Sequence, residues 1–466
     1  MDNKHLYLYA IIVTSITTFF VAYISSAISI VLPTMAKYFS MNDVLQNWIS
    51  LIYLLIIAIF ALPCGFFSKK YGLKKSLLIG TIIFLVGSIF SGLATSSLII
   101  LVSRAVEGLG AAFLYVSGTA LIVKAVPDKI RGLALGINLA SFYIGLTIAP
   151  FLGGFLSSNY GWQTIFYIQI PFLILAIILI IYGIRKDWIT SKNEPVDVVG
   201  LVLSSLAILI LMYGFTILNQ ITGIVLVVIG IVVTAIYIKW SLKQEYPMFN
   251  LRLFKNANFA TSNIASLTSY IGIYVLTYVL NYHFQYINGF SSELSGTLLV
   301  IAPLVMTFSA IVAGRLADKR NPQVIAAVGL VIVIVCLIMI TLINKTTSLT
   351  YIIIAMILYG IGYGLFASPN TKIIMSSVPP KENSTASASV AASKYIGKTI
   401  SLALFTVIFA IIIGNVPIGP SNYDLVIVSS QITCAICTLS AVVALIATIV
   451  GYKSNDPIYL NDNKDA

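Results

Sequence analysis

Charge is scarce in this chain. Only 9% of its 466 residues are charged and 15 are acidic, while 59% are apolar. A soluble globular protein is closer to half apolar and a quarter charged, so the composition excludes water as the main solvent and indicates lipid. Cysteine is equally sparse. Cys64, Cys336, Cys434 and Cys437 all lie in apolar stretches. Cys434-x-x-Cys437 has no second pair and no histidine nearby, which favours small residues packed inside a helix over a metal or redox site. No metal and no cofactor are expected. Gly397-Lys398-Thr399 resembles the end of a phosphate-binding loop, but Ala392 stands where the earlier glycine is required and the segment is apolar. Nucleotide binding is excluded there, and no other ATPase signature is present.

Long apolar runs, by contrast, are abundant. Bounded by charged or turn residues, they fall near 6–32, 45–66, 76–95, 98–123, 133–156, 165–184, 197–218, 222–242, 259–285, 294–316, 323–343, 350–371, 384–413 and 425–452. A bilayer core takes about 20 apolar residues per helix. Backbone groups cannot stay unsatisfied in lipid, so each run is read as a transmembrane helix, fourteen in all. The short alternating segments of an outer-membrane barrel are missing. The first run is longer than a signal-peptide core and is read as a retained helix.

The formal net charge of +12 would suit a nucleic acid if it were clustered on one surface. It is instead distributed by topology. With the N-terminus in the cytoplasm, the inside loops hold Lys69, Lys70, Lys74, Lys75, Lys124, Lys129, Arg131, Arg185, Lys186 and Lys192. They continue with Lys239, Lys243, Arg252, Lys255, Arg315, Lys319, Arg320, Lys372 and Lys381, against Lys37 and Lys345 alone outside. This positive-inside bias predicts a multi-pass cell-membrane protein with both termini cytoplasmic and no nucleic-acid partner.

Two loops repeat one half-protein apart. Gly65-Phe-Phe-Ser-Lys-Lys-Tyr-Gly72-Leu-Lys-Lys75 follows helix 2, and Gly314-Arg-Leu-Ala-Asp318-Lys-Arg-Asn-Pro322 follows helix 10. Each sets a glycine at a helix end before a basic turn, and Gly65, Gly72, Gly314 and Asp318 are expected in cytoplasmic gate loops. Helices 1–6 and 9–14 then form two related bundles, with helices 7 and 8 inserted. The expected divisions are 1–190 for the first bundle, 191–245 for the inserted pair, 246–456 for the second bundle and 457–466 for a cytoplasmic tail.

On these residues the chain resembles the fourteen-helix drug:proton antiporter group of the major facilitator superfamily, along essentially its whole length. The loop after helix 2 is similar to the signature Gly-x-x-x-Asp-Arg-x-Gly-Arg-Lys, with Lys69 in the aspartate's place while the second copy keeps Asp318. Ser103-Arg104-Ala-Val-Glu107-Gly108-Leu-Gly110 resembles the helix-4 pattern Arg-x-x-Gln-Gly-x-Gly, with Glu107 for glutamine. Gly136, Gly145, Ala149, Pro150, Gly153 and Gly154 resemble the helix-5 antiporter signature, in which Ala149 is normally glycine. Pro247-Met-Phe-Asn-Leu-Arg-Leu-Phe254 is similar to a segment ahead of helix 9 in this group. The resemblance implies the major facilitator fold, an all-α integral membrane protein of two six-helix bundles plus two inserted helices, and a secondary transporter rather than an enzyme. It departs in helix 1, where Ile24-Ser-Ser-Ala-Ile-Ser-Ile-Val-Leu-Pro33 carries isoleucine at the position of a frequent aspartate.

An ionisable side chain at bilayer depth costs at least a few kcal/mol, so each one is a functional candidate. Glu107 is the sole acid well inside a run, and Arg104, Lys394 and Lys398 are the bases. Arg104 and Glu107 are three apart on one helix face. They are expected either to relay a proton, making them the coupling pair, or to form a static packing pair. Lys394 and Lys398 also share a face, and their repulsion requires water, a carboxylate or substrate nearby. They are expected to charge a cavity wall, or else to snorkel to the interface. Lys394 resembles an arginine frequent there in the group.

Gly145, Pro150, Gly153 and Gly154 allow close helix approach and a bend, which suits gating or plain packing. Gly360, Gly362 and Gly364 have no βαβ context and are read as packing glycines. Tyr115, Phe142, Tyr143, Tyr270, Tyr274, Tyr278 and Tyr282 are candidate cavity aromatics, the last four forming a stripe of a period more often seen on a packed face. The expected activity is proton-coupled efflux of small amphipathic or drug-like molecules by a monomer in the bilayer. A facilitator or flippase for an anionic or lipid-like substrate is the alternative.

Overall fold

The computed structural model describes residues 3–41, 43–191, 194–218, 220–290, 292–414 and 422–454. Lys192 and the expected tail at 457–466 lie outside them. Fourteen helices among the described residues are long and apolar enough to cross a membrane. In chain order they are α1 (Leu6–Leu32), α2 (Trp48–Tyr71), α3 (Leu73–Gly92), α4 (Ser97–Ala125), α5 (Asp128–Tyr160), α6 (Thr164–Gly183) and α7 (Val198–Phe215). They continue with α8 (Ile221–Lys243), α9 (Ala257–Ile287), α10 (Leu294–Lys319), α11 (Pro322–Thr341), α12 (Leu349–Ser376), α13 (Pro380–Ile412) and α14 (Tyr423–Tyr452).

Helices α1–α6 pack on one another, and α9–α14 do the same, giving two six-helix bundles. Lipid is as apolar as leucine, so close helix contact depends on small residues. Gly80, Gly87 and Gly110 let α3 and α4 meet, and Gly329 and Gly362 do this for α11 and α12. Gly360 and Gly364 face Ala302, Val305 and Ser309 of α10, which makes the helix-12 glycines packing positions. All four cysteines are free and buried in helices.

The inserted hairpin α7–α8 attaches by α7 to α2 and α13, one helix from each bundle. Asp197 organises its base. Its carboxylate caps α7 at the Gly200 N–H (2.8 Å) and accepts from Trp240 Nε1 (3.0 Å) and from the Met248 N–H ahead of α9 (3.1 Å). Helix α8 leaves Ile221, Val225, Val228, Ile231 and Val232 exposed, as a lipid-facing helix must.

The bundles meet along a seam formed by α5 on α10 and α2 on α13, with α4 reaching α13 and α5 reaching α12. At α5–α10 the backbones nearly touch. A Cβ on Gly136 would lie 2.6 Å from the Ala310 carbonyl oxygen, and Gly132 faces Gly314 across the same contact.

Candidate functional site

The basic loops gather at one end of the seam, and the seam is sealed there. Ile122, Val123, Leu135, Phe259, Ile374, Met375 and Val390, drawn from both bundles, form one buried apolar cluster. Two charged staples flank it. The side chain of Asp318, 6% exposed, accepts from the Gly132 and Leu133 N–H groups at the start of α5 (2.7 and 2.8 Å) and pairs with Lys372 at 2.5 Å. These N–H groups lie in the second turn of α5, near the positive end of its dipole, where a carboxylate is favoured. In the other half Lys69 faces the start of α13, where a bare cation would be repelled. Glu382 supplies the missing charge at 3.1 Å, and Glu194 adds a second contact at 3.5 Å. Thr190 donates to the Lys381 carbonyl (3.2 Å) and Ser387 to that of Val116 (2.6 Å), completing the closure.

Gly65 and Gly314 sit directly in these cross-bundle contacts, Gly65 against Ser384 and Ala388. Gly72 serves a local role. It ends α2 and starts α3 with φ +106° and ψ 148°, a conformation open in practice to glycine alone. The acid closing this turn is Asp187, which caps Lys74 N–H (2.8 Å) and Lys75 N–H (3.3 Å) and stands where a Cβ on Gly72 would be. Gly72→Ala is expected to lower stability by about 1–3 kcal/mol through backbone strain and the displaced carboxylate. Thermal unfolding of the purified protein, followed with a thiol-reactive dye on the four buried cysteines, checks it; an unchanged midpoint refutes it.

Arg104 and Glu107 form an ion pair with both side chains fully buried. The pair lies inside the first bundle, away from the seam. Glu107 Oε1 accepts from Ser88 of α3 (2.8 Å) and Gln169 of α6 (3.1 Å). Arg104 Nε donates to the Ile49 carbonyl of α2 (3.2 Å), and its guanidinium stacks 4.2 Å from the Tyr53 ring. The pair therefore ties α4 to α2, α3 and α6.

Lys394 and Lys398 are at the seam, one turn apart on α13. Lys394 is 1% exposed, so it does not snorkel, and its Nζ has no hydrogen-bond partner among the described residues. Rings surround it: Phe142 of α5 at 3.7 Å, Tyr115 of α4 at 4.6 Å, Tyr395 at 5.7 Å and Tyr270 of α9 at 5.9 Å. Lys398 lies 5.0 Å from Tyr274 and 5.7 Å from Phe142. Tyr274 occupies a break in α9, where Ser401 of α13 donates to the Ile271 carbonyl (2.7 Å) and accepts from the Val275 N–H (3.1 Å).

Tyr143 and Tyr270 meet Tyr363 of α12 at 6.4 and 5.7 Å. Tyr278 and Tyr282 instead pack on Phe405, so the tyrosine stripe divides between lysine site and helix packing. Gly145 and Gly153 contact α1 at Phe19, Ala22 and Ala27 within the first bundle, Gly154 faces Ile30, and Pro150 lies within the unbroken helix Asp128–Tyr160. The helix-5 signature therefore divides: Gly145, Gly153 and Gly154 shape the α1–α5 contact, while Gly136, together with Gly132, makes the seam contact of α5.

Glu382, Asp187, Ser88 and Gln169 escaped the sequence reading. Glu382 is 313 positions from Lys69, a separation with no spacing signal. The one available clue was Lys69 itself, a base at a place that calls for an acid.

Two helical bundles in a bilayer, sealed at one end of their seam and holding buried charges within it, define a membrane transporter. The chain belongs to the Major Facilitator Superfamily, whose family model matches residues 14–402. That membership makes it a transporter and not an enzyme. It is 28% identical to the riboflavin transporter RibZ of Clostridioides difficile (strain 630), over 83% of this chain and 84% of that protein. It is 26% identical to the multidrug resistance protein Stp of Mycobacterium tuberculosis (strain CDC 1551 / Oshkosh), over 86% and 76%. Its fold is similar to that of the proton:xylose symporter XylE (TM-score 0.68, 15% identity, 95% of each chain). The human organic anion transporter MFSD10 (TETRAN) is also similar in fold (TM-score 0.67, 12% identity, 97% of this chain and 100% of that one).

Proposed function

We propose that the chain exports small amphipathic molecules from the cell by alternating access, driven by inward proton movement, as a monomer of the fourteen-helix drug:proton antiporter group. The observation that carries this reading is the seam. Its sealed end is held by small residues, an apolar plug and two ion-pair staples, contacts that can part as units. Behind them lies a wall of rings and two lysines, a surface for a molecule with an apolar body and a polar end. In this reading the sealed end and both termini face the cytoplasm, which the excess of Lys and Arg in the loops at that end supports. The names of two relatives, a multidrug resistance protein and a riboflavin transporter, fit cargo of this size and character.

Arg104 and Glu107 are assigned to coupling. Protonation of Glu107 would release Arg104 and loosen the bonds to Ile49 and Gln169. Helix α2 carries that change to the seam, because its far end holds Lys69 against Glu382. Coupling of this kind works through helix packing, without proton and substrate competing for one group.

A second reading, a facilitator or flippase for an anionic substrate, draws on Lys394, a buried base without an acid beside it. Proteoliposomes separate the two, with riboflavin and ethidium as fluorescent probes. Under a pH gradient the wild type is expected to move at least one probe uphill, and Glu107→Gln to lose accumulation while retaining downhill exchange. Uphill transport unchanged in Glu107→Gln removes Glu107 from coupling. A wild type that moves a probe downhill and ignores the gradient overturns antiport in favour of facilitation.

A further inference from the structure

The coupling scheme makes no use of Lys394. It is 1% exposed, and among the described residues none of the ion pairs includes it or Lys398. A buried ammonium without an anion carries a desolvation cost that ring faces return only in part. A leucine would fill the same space without that cost. The base is also placed where the bundles part, with Phe142 and Tyr115 on one side and Tyr270 and Tyr395 on the other.

The rings around it meet edge to face, Tyr115 on Tyr395 at 6.2 Å and Tyr270 on Tyr363 at 5.7 Å. Separation of the bundles parts Tyr115 from Tyr395 and Tyr143 from Tyr363, and so uncovers ring faces on both sides for a guest. Flat faces favour a flat guest, through offset stacking. One fully buried base asks for one negative charge, and Lys398 a turn away holds that charge at the same level of the seam.

We propose that this site binds a small, flat aromatic monoanion. Its carboxylate or sulfonate sits between Lys394 and Lys398, and its ring system lies among Phe142, Tyr115, Tyr270 and Tyr274. The inference names the substrate class of the transport reading above and rests on the seam being the transport route. A phospholipid headgroup offers the same charge but no aromatic face, and Lys394 is walled by both bundles rather than open to the bilayer.

The test is calorimetric binding to the full-length protein in phosphatidylcholine nanodiscs. The probes are naphthoate, naphthamide and naphthylmethylammonium, which share a ring system and differ in charge. Naphthoate is expected to bind at least about ten-fold more tightly than the other two, because it pairs a buried charge. Lys394→Met should erase that margin, while Lys394→Arg should keep it. Equal affinities, a preference for the ammonium, or a margin that survives in Lys394→Met overturns the proposal. The wild-type ranking decides the matter even where the methionine variant does not fold.

Cyclohexanecarboxylate binding as tightly as naphthoate overturns the aromatic part. Loss of naphthoate binding in phosphatidylglycerol nanodiscs assigns the site to lipid and overturns the class. Binding is read without flux, so a protein that ranks the probes as expected yet moves none across a membrane refutes the transport reading alone.

Discussion

Arg104→Met is expected to cost about 3–5 kcal/mol of stability, because it leaves the Glu107 carboxylate buried in the first bundle with no counter-ion. Arg104→Met combined with Glu107→Gln should recover most of that loss, to within about 1–2 kcal/mol of the wild type, since no charge then remains to be desolvated. The glutamine amide keeps an acceptor for Ser88 and Gln169, which sit 2.8 and 3.1 Å from Glu107 Oε1. The four buried cysteines provide the readout, as a thiol-reactive dye reports their exposure on heating. Additive losses across the cycle would mean that the two residues do not stabilise each other. The recovered double variant then examines the proposed role. If it is stable and still drives uphill transport, the pair serves packing alone.

That cycle bears on how this bundle tolerates charge at bilayer depth. The first bundle uses neutralisation: an acid and a base three residues apart, with both side chains buried. The seam uses aromatic faces around an unpaired base. The first solution is complete within one bundle and survives any relative motion of the two. The second depends on rings from both bundles and is disturbed whenever they part. Sensitivity to bundle separation is what a substrate site in an alternating-access protein requires.

The fourteen spans were legible because apolar length and charged punctuation are local signals. Helix 2 shows where such signals stop. Its apolar run ends near 66, yet the helix continues to Tyr71, because Gly72 with its positive φ, and not Lys69 or Lys70, terminates it. Helix 9 reads as one run, but the structure breaks it at Tyr274 and repairs the break with a hydroxyl from Ser401. The Arg104–Glu107 contact was readable from a three-residue spacing. Lys394 and Lys398 were readable as a problem, two like charges a turn apart, and Tyr115, Phe142, Tyr270 and Tyr274 as candidate cavity aromatics, but nothing in the spacing showed that these rings of α4, α5 and α9 meet the lysines. Glu382 and Asp187 were not readable at all, since each answers a helix end more than 100 residues away.

Asp318→Ala is expected to open the basic end of the seam. The carboxylate accepts from two N–H groups of α5 and from Lys372, and its removal takes those three bonds from the closed state only and leaves Lys372 without its acid. Hydrogen bonds to a charged group contribute about 1.5–3 kcal/mol each, and water regains part of that once the seam opens. A net loss of about 3 kcal/mol from the closed state shifts the open-to-closed ratio by roughly a hundred-fold. Spin labels at Lys129 and Arg320, both exposed and on opposite sides of the contact, measure it. The variant should gain a longer-distance population that the wild type lacks, and an unchanged distribution would show that the apolar cluster alone keeps the seam shut. Lys69→Ala should shift the distribution less. Its loss frees Glu382 to face the start of α13 unaided, and an acid at a helix N-terminus is favourable there without a partner. The two halves of the protein thus reach the same closure by opposite charges, and the half that kept its aspartate is the one predicted to fail when that side chain is removed.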